Sequence, residues 1–191
     1  MVSKSAVSIR TNRGFSIPEV LLSLFVLSIG IMTIVSILSK SLVYSYDTRD
    51  TIVATELAQE GVELVRNVRD NNFASGGDGF DNPTVFDNAE KHCRIDWNDP
   101  NNALDCNAGQ GVASRYYLQY SGGLYAHVNV TAERYSRYVY IDYTNNAQGE
   151  RVLVRSFVYW GTFMPPNNGN SANCTPANKC VFTETFLTSW K

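Results

Sequence analysis

Nineteen consecutive residues, Val20 to Leu38, carry no charge. As an α-helix they span about 28 Å at about 1.5 Å per residue, close to the roughly 30 Å hydrocarbon core of a bilayer. Lys4, Arg10 and Arg13 precede the run. The positive-inside rule therefore leaves residues 1–13 cytoplasmic and sends the rest of the chain outward. A secretory signal peptide has a shorter apolar core, about 7–15 residues, and ends at a small-residue cleavage site. Here no alanine occurs from Phe15 to Val53, so no Ala-x-Ala site exists. A plain signal anchor stays open beside a membrane helix that has a second use.

Glu19 separates these two. A carboxylate at the edge of an apolar helix costs about 2.5–3.5 kcal/mol at the bilayer centre and less near the interface. A plain anchor has no use for it. The segment Gly14-Phe15-Ser16-Ile17-Pro18-Glu19, behind a basic leader and ahead of an apolar span, resembles the class III signal of type IV prepilins and type II secretion pseudopilins. The resemblance implies cleavage between Gly14 and Phe15 by a prepilin peptidase and N-methylation of Phe15. It also implies assembly from the inner membrane, through a platform there, into an extracellular filament of other pilin subunits. Glu19 becomes the fifth residue of the mature chain, where it can pair with the α-amino group of Phe15 in a neighbouring subunit. A buried pair of this kind adds little net stability, but leaving one partner alone costs about 3–5 kcal/mol, so it acts as a register device.

The implied division is a leader (1–14), a membrane or filament-core half-helix (15–42), an amphipathic half-helix (43–72) and a globular head (73–191). The sequence Glu19-Val20-Leu21-Leu22 departs from the Glu-Leu start common in major pilins, which points to a minor subunit. Retention of Glu19 argues against the tip-capping pseudopilin, while other pseudopilins of secretion or DNA-uptake machines remain the alternative. Without Lys4, Arg10 and Arg13, thirteen cations face eighteen acids, a balance of −5. Such a chain is soluble outside the membrane and lacks a broad basic footprint.

Beyond the apolar run, Val53, Leu57, Leu64 and Val68 recur at helical spacing, flanked by Ala54, Ala58 and Val65, with Gly61 filling the missing step. This is one apolar stripe on a 3.6-residue period. Glu56, Glu60, Glu63, Arg66, Arg69 and Asp70 supply much of the remaining surface, and Asn71-Asn72 before Ala-Ser-Gly-Gly reads as a stop. A single helix from about Phe15 to Asn71 follows. Gly61 is placed where a strand can approach closely. Gly30, with Thr33 and Ser36 after it, either allows local melting or serves close helix packing.

Residues 74–114 read as loop, matching the αβ-loop that the resemblance implies. Strands are expected at Arg115–Ser121, Leu124–Ala132, Ser136–Thr144, Glu150–Thr162 and Val181–Trp190, where Tyr, Val, Phe and Thr concentrate. Gly122-Gly123 and the stretch Asn145 to Gly149 read as hairpin links. No helical period separates the strands, so the sheet is antiparallel and the class α+β. One sheet face should take the helix, and the other should meet solvent or neighbouring subunits. The loop from Met164 to Cys174 and Cys180 resembles the disulfide-bounded D-region of pilins.

Four cysteines in an exported chain suggest disulfides. Pairing Cys93 with Cys106 and Cys174 with Cys180 keeps each loop local; tying the two loops together is the alternative. Neither pair has metal-ligand spacing, and His92 and His127 are distant in sequence, so no metal is expected. Aspartates in residues 74–114 could attract calcium, but no EF-hand spacing is present. No Gly-rich phosphate loop, serine elbow or carboxylate cluster occurs, so no cofactor and no catalysis are expected. The chain is instead expected to be a substrate of the peptidase. Tyrosines at and beyond Tyr116, with Arg115, Arg134, Arg137, Arg151 and Arg155, could form a surface that stacks bases. Strand propensity and solvated arginines explain the same residues, and the acidic balance argues against nucleic acid. Filament adhesion would use the Asn-rich loops.

The extracellular form should begin at N-methylated Phe15, and Gly14→Asp should block maturation. Mass spectrometry of the N-terminal peptide from sheared surface filaments checks this; a Met1 start there would end the prepilin reading.

Overall fold

A computed structural model describes residues 14–80, 86, 91–97, 106, 116–127, 133–146, 149–161 and 170–188. The leader residues 1–13 and the stretch 162–169, with Met164 to Gly169, lie outside the described residues. So does most of the segment 81–115. The chain divides into two compact units, residues 1–46 and 47–191. The first is helical from Ile17. The second, the head, contains the C-terminal part of the same helix and an antiparallel sheet, which makes the class α+β.

The helix, α1, runs Ile17–Ala74 and so continues past Asn71. Gly76, at φ 87°, is what ends it. Its N–H donates to Phe73 O at 3.0 Å, and the N–H of Gly77 donates to Asn72 O at 3.2 Å. This bonding pattern is a Schellman cap, with the left-handed residue supplied by glycine. The tandem asparagines are therefore inside the helix, and the last turn carries no basic residue. Arg66 and Arg69 sit too far back to meet the dipole's end.

Among the described residues the sheet has six strands: β1 (Lys91–Cys93), β2 (Tyr117–Ser121), β3 (Leu124–His127), β4 (Tyr135–Asn146), β5 (Gly149–Trp160) and β6 (Cys180–Thr188). Their order is β3-β2-β4-β5-β6, with β1 also paired to β4. β1 falls inside the stretch expected to be loop. Three residues carry too little pattern to read as a strand alone, and they are ordered by register with Val139, Tyr140 and Ile141. Gly122 and Gly123, both at positive φ, make the two-residue turn between β2 and β3 as a type I′ hairpin requires. The strand expected to reach Ala132 is described only to His127.

On the helix-facing side, Val152, Val154, Val158 and Trp160 of β5 alternate inward, as their parity predicts. Toward the end of the head where α1 enters it, Ala54, Leu57 and Ala58 meet Leu118, Tyr135, Val158 and Trp160. Further along, Val62, Val65 and Val68 meet Val139, Ile141, Val152, Val154 and Leu187, together with Phe80, Phe86 and the Cys93–Cys106 bridge. The buried line on α1 is Ala54, Leu57, Ala58, Gly61, Val62, Val65 and Val68. Val53 and Leu64, expected at its centre, are only partly buried at its flanks.

The opposite sheet face is not simply solvated. Tyr116, Tyr138, Tyr140, Phe157 and Tyr159 form a second core with Cys174 and Cys180. Tyr138 stacks on Phe157 at 4.9 Å between centroids, and His92 stacks on Tyr138 at 5.8 Å. Further along this face, Arg151 lies over the Phe186 ring.

Gly61 sits where α1 meets β4 and β5 most closely. A Cβ there would overlap Ser156 Oγ and come within 3.1 Å of Ser156 Cβ and 3.2 Å of Arg137 Cδ. Gly61→Ala should therefore lower head stability by about 1–3 kcal/mol through overpacking, although alanine favours the helix by about 1 kcal/mol. Ser156 Oγ has no hydrogen-bond partner among the described residues. Ser156→Ala should then cost little alone and recover part of the loss in the double variant, as read from thermal unfolding of the four proteins.

Candidate assembly interface

The helix starts cleanly. Ser16 O accepts from the N–H groups of Glu19 (3.0 Å) and Val20 (3.2 Å). Pro18 lies in the first turn, where its missing N–H is no loss. Glu19 is in that turn as well, where the helix dipole favours a carboxylate. Gly14 precedes the helix, and a Cβ at this position would meet nothing within 4 Å. The fold itself therefore makes no demand for glycine at residue 14.

Every residue from Gly14 to Arg49 is exposed. The segment is long and apolar enough to cross a membrane. Four of its hydroxyl groups bond back to the helix: Ser23 donates to Val20 O (2.8 Å), Ser28 to Phe25 O (2.8 Å), Thr33 to Gly30 O (2.7 Å) and Ser39 to Val35 O (2.9 Å). Such back-bonding removes most of the penalty of placing a hydroxyl in hydrocarbon. The helix is continuous through Gly30. Glu19 is thus the single ionised side chain on an otherwise apolar surface that extends to Ser39.

The head secures its part of α1 with charge as well as apolar contact. Asp50 is buried and accepts from Arg134 Nη2 through both oxygens at 2.7 Å and from Arg134 Nε at 3.1 Å. Tyr135 Oη adds a third donor at 2.9 Å. Burial alone would raise the Asp50 pKa, but the bonds from Arg134 and Tyr135 outweigh it and hold the carboxyl below its ordinary value. Burial, and the bond to this carboxylate, push Tyr135 up to about 12.

Arg137 on β4 is wholly buried under α1. Nη1 donates to Leu57 O at 3.2 Å and Nη2 to Ile95 O at 2.8 Å, with Glu60 Oε2 3.2 Å from Nη1. Asp96 lies beside it and receives His127 Nδ1 at 2.6 Å, while His127 Nε2 is 2.9 Å from Arg137 O. Burial would raise the Asp96 carboxyl, but His127 and Arg137 hold it low. His127, the last residue of β3, therefore ties β3 to β4 and to the segment after β1. Arg69, expected on the polar side of α1, is also buried, with Asp70 Oδ1 2.8 Å from its Nε and Thr188 O 3.4 Å from its Nη1.

The cysteines pair locally, Cys93 with Cys106 and Cys174 with Cys180. Cys93, next to His92 in sequence, thus has no free thiol. Of the aromatic and basic residues considered for nucleic acid, Tyr116, Tyr135, Tyr138, Tyr140, Tyr159 and Arg137 are buried. Arg134 and Arg155 are paired with Asp50 and Glu184. Arg115 lies outside the described residues.

Comparison with protein-family models, with characterised proteins and with solved structures returned no match.

Both Asp50 and Asp96 titrate below their unfolded value of about 3.9. Their contribution is complete above that value and is lost as pH falls through the lower folded pKa. The unfolding temperature of the head should hold from neutral pH to about pH 5 and drop below about pH 4. Asp50→Asn should lower stability at neutral pH, by about 1–3 kcal/mol for a hydrogen bond to a charged group, and should flatten the acid limb. An unchanged acid limb in Asp50→Asn would show that Arg134 and Tyr135 do not control this carboxyl.

Proposed function

We propose that the chain is a structural subunit, a minor one, of a type IV pilus or related filament, with a pseudopilin role as the alternative. One observation carries the proposal. A fully exposed apolar helix bears a single carboxylate, Glu19, in its first turn, directly behind the sequence Gly-Phe-Ser-Ile-Pro. The head needs nothing from that surface, because residues 54–68 of α1 complete its core. An apolar run of this size stays soluble only when something covers it: a bilayer before assembly, and the equivalent helices of other subunits afterwards. Two local disulfides fit a head that folds outside the cytoplasm.

In this proposal the prepilin peptidase and methylation activity act on the Gly14–Phe15 bond and on Phe15. Glu19 then sets register against the amino terminus of a neighbour. Its side chain is exposed and far in sequence from the head core, so its role is intermolecular. Glu19→Ala should be inserted, cleaved and folded normally yet incorporate poorly, since an unpaired buried charge costs about 3–5 kcal/mol. Glu19→Asp should be intermediate. Co-expression with tagged wild-type protein, and comparison of the two in filament and membrane fractions, measures the effect. Equal ratios in both fractions would return the chain to a membrane-anchored domain without an assembly role.

A further inference from the structure

We infer that His127 is held as an imidazolium and serves as a proton-dependent clasp that keeps the β2–β3 hairpin docked on β4. The clasp lies wholly within the head and does not depend on the filament role.

The hairpin is lightly attached. β5 pairs with β4 from Tyr135 to Asn146 and occupies one edge of it, so β2 and β1 share the other. β2 is in register with β4 only through Tyr117 with Ser136 and Leu118 with Tyr135. One further bond runs from Arg137 N–H to Tyr116 O at 2.9 Å. β1 takes over at Val139. Arg137 and Tyr138 therefore lie between the two paired stretches. His127, on the outermost strand of the described sheet, reaches this junction: its Nε2 is 2.9 Å from Arg137 O.

The partners of the ring fix its charge. Nδ1 is 2.6 Å from Asp96 Oδ1, and Nε2 faces a carbonyl. A neutral imidazole has one N–H and one lone pair, so it can donate to only one of these two acceptors. The imidazolium donates to both. Asp96 is not the donor: its Oδ1 also accepts the backbone N–H of His127 at 3.0 Å, and Arg137 Nη2 stands 3.8 Å away. Both contacts favour the carboxylate, and the Asp96 carboxyl is held below its ordinary value. Two cations, His127 on β3 and Arg137 on β4, then stand against two carboxylates, Asp96 after β1 and Glu60 on α1.

Loss of the proton leaves one of the two bonds. The remaining N–H stays with the charged Asp96, and the Nε2 lone pair then faces the Arg137 carbonyl oxygen, acceptor against acceptor. Arg137 and the His127 side chain are both without exposed surface, so bulk water does not replace the lost donor. An unmet carbonyl in such a place is unfavourable. The simplest relief is for β3 to move off β4, and with it a hairpin whose own ladder to β4 is two residue pairs long. The docked form therefore binds the proton and the released form lets it go, so rising pH favours release.

The test uses the full chain in detergent micelles with isotope-labelled histidine. The chain has two histidines, and His127→Gln identifies the ring signals of residue 127. At neutral pH both ring nitrogens of His127 should carry protons in long-range proton–nitrogen spectra. Hydrogen exchange read by mass spectrometry, as protection factors corrected for intrinsic exchange, then follows the hairpin. Between neutral pH and about pH 9, where an unconstrained imidazole is neutral, protection of residues 118–126 should fall about tenfold or more, as for one lost hydrogen bond to a charged group. Protection of β5 should stay unchanged. Asp96→Asn keeps an acceptor and removes the charge, so at neutral pH it should already show one ring proton and the released level of protection. A single ring proton on His127 of the unmutated protein at neutral pH would overturn the imidazolium. Two ring protons with hairpin protection that ignores both pH and Asp96→Asn would overturn the clasp. An equal fall in β5 would overturn it as well, because the opening would then be global.

Discussion

The head is organised around one desolvated guanidinium. Arg137 lies between α1 and the sheet with no exposed surface, and burial drives its pKa down from the ordinary arginine value. It is held there because Leu57 O and Ile95 O accept from it and Glu60 and Asp96 balance its charge. Leaving a buried ion without its partners costs about 3–5 kcal/mol. Those partners come from α1 and from the segment after β1, so the charge requires that both stay docked on β4. The absence of a side chain at Gly61 allows the backbone of α1 to come close enough for Leu57 O to take part. Small residue and large cation are thus two halves of one packing solution.

Asp50 repeats the device nearer the end where the helix enters. There the carboxylate is on α1 and the donors, Arg134 and Tyr135, are on or just before β4. Two charged contacts at different levels fix both the rotation and the axial position of the helix on the sheet. Apolar contacts alone specify these less sharply, since hydrophobic attraction is non-directional. The Cys93–Cys106 bridge, buried beside Val139 and Ile141, secures the segment that carries Ile95 and Asp96. By the chain-entropy model a closed loop of this size contributes about 3 kcal/mol.

The described residues before Asp47 follow the opposite logic. From Ile17 they are helical, Ser23, Ser28, Thr33 and Ser39 bond back to the helix backbone, and their apolar side chains are exposed. A helix built in this way is complete as a hydrogen-bonded object and incomplete as a hydrophobic one. Its covering must come from outside, and the proposed membrane and filament roles both rest on that asymmetry. In the proposed filament, Glu19 is the position between Gly14 and Ser39 where the covering would also supply a charge.

Sequence alone determined the features that depend on neighbours along the chain. The uncharged run, the 3.6-residue stripe and the two-residue alternation in Arg151–Trp160 each follow from local periodicity, and together they specify a helix on an antiparallel sheet. Gly122-Gly123 specified its hairpin because no other residue pair tolerates both positive φ angles so readily. Tertiary structure decided which polar residues go inside. Asp50, Arg69 and Arg137 look like surface charges in any local window, and their burial rests on partners 84, 119 and 80 residues away. It also decided β1, which has too few residues to signal a strand, and the aromatic core on the second sheet face. There Tyr138 and Phe157 are equally compatible with solvent until pairing stacks them. Periodicity records which side of an element is apolar. Only the fold brings together the distant donors and acceptors that let a charge leave water.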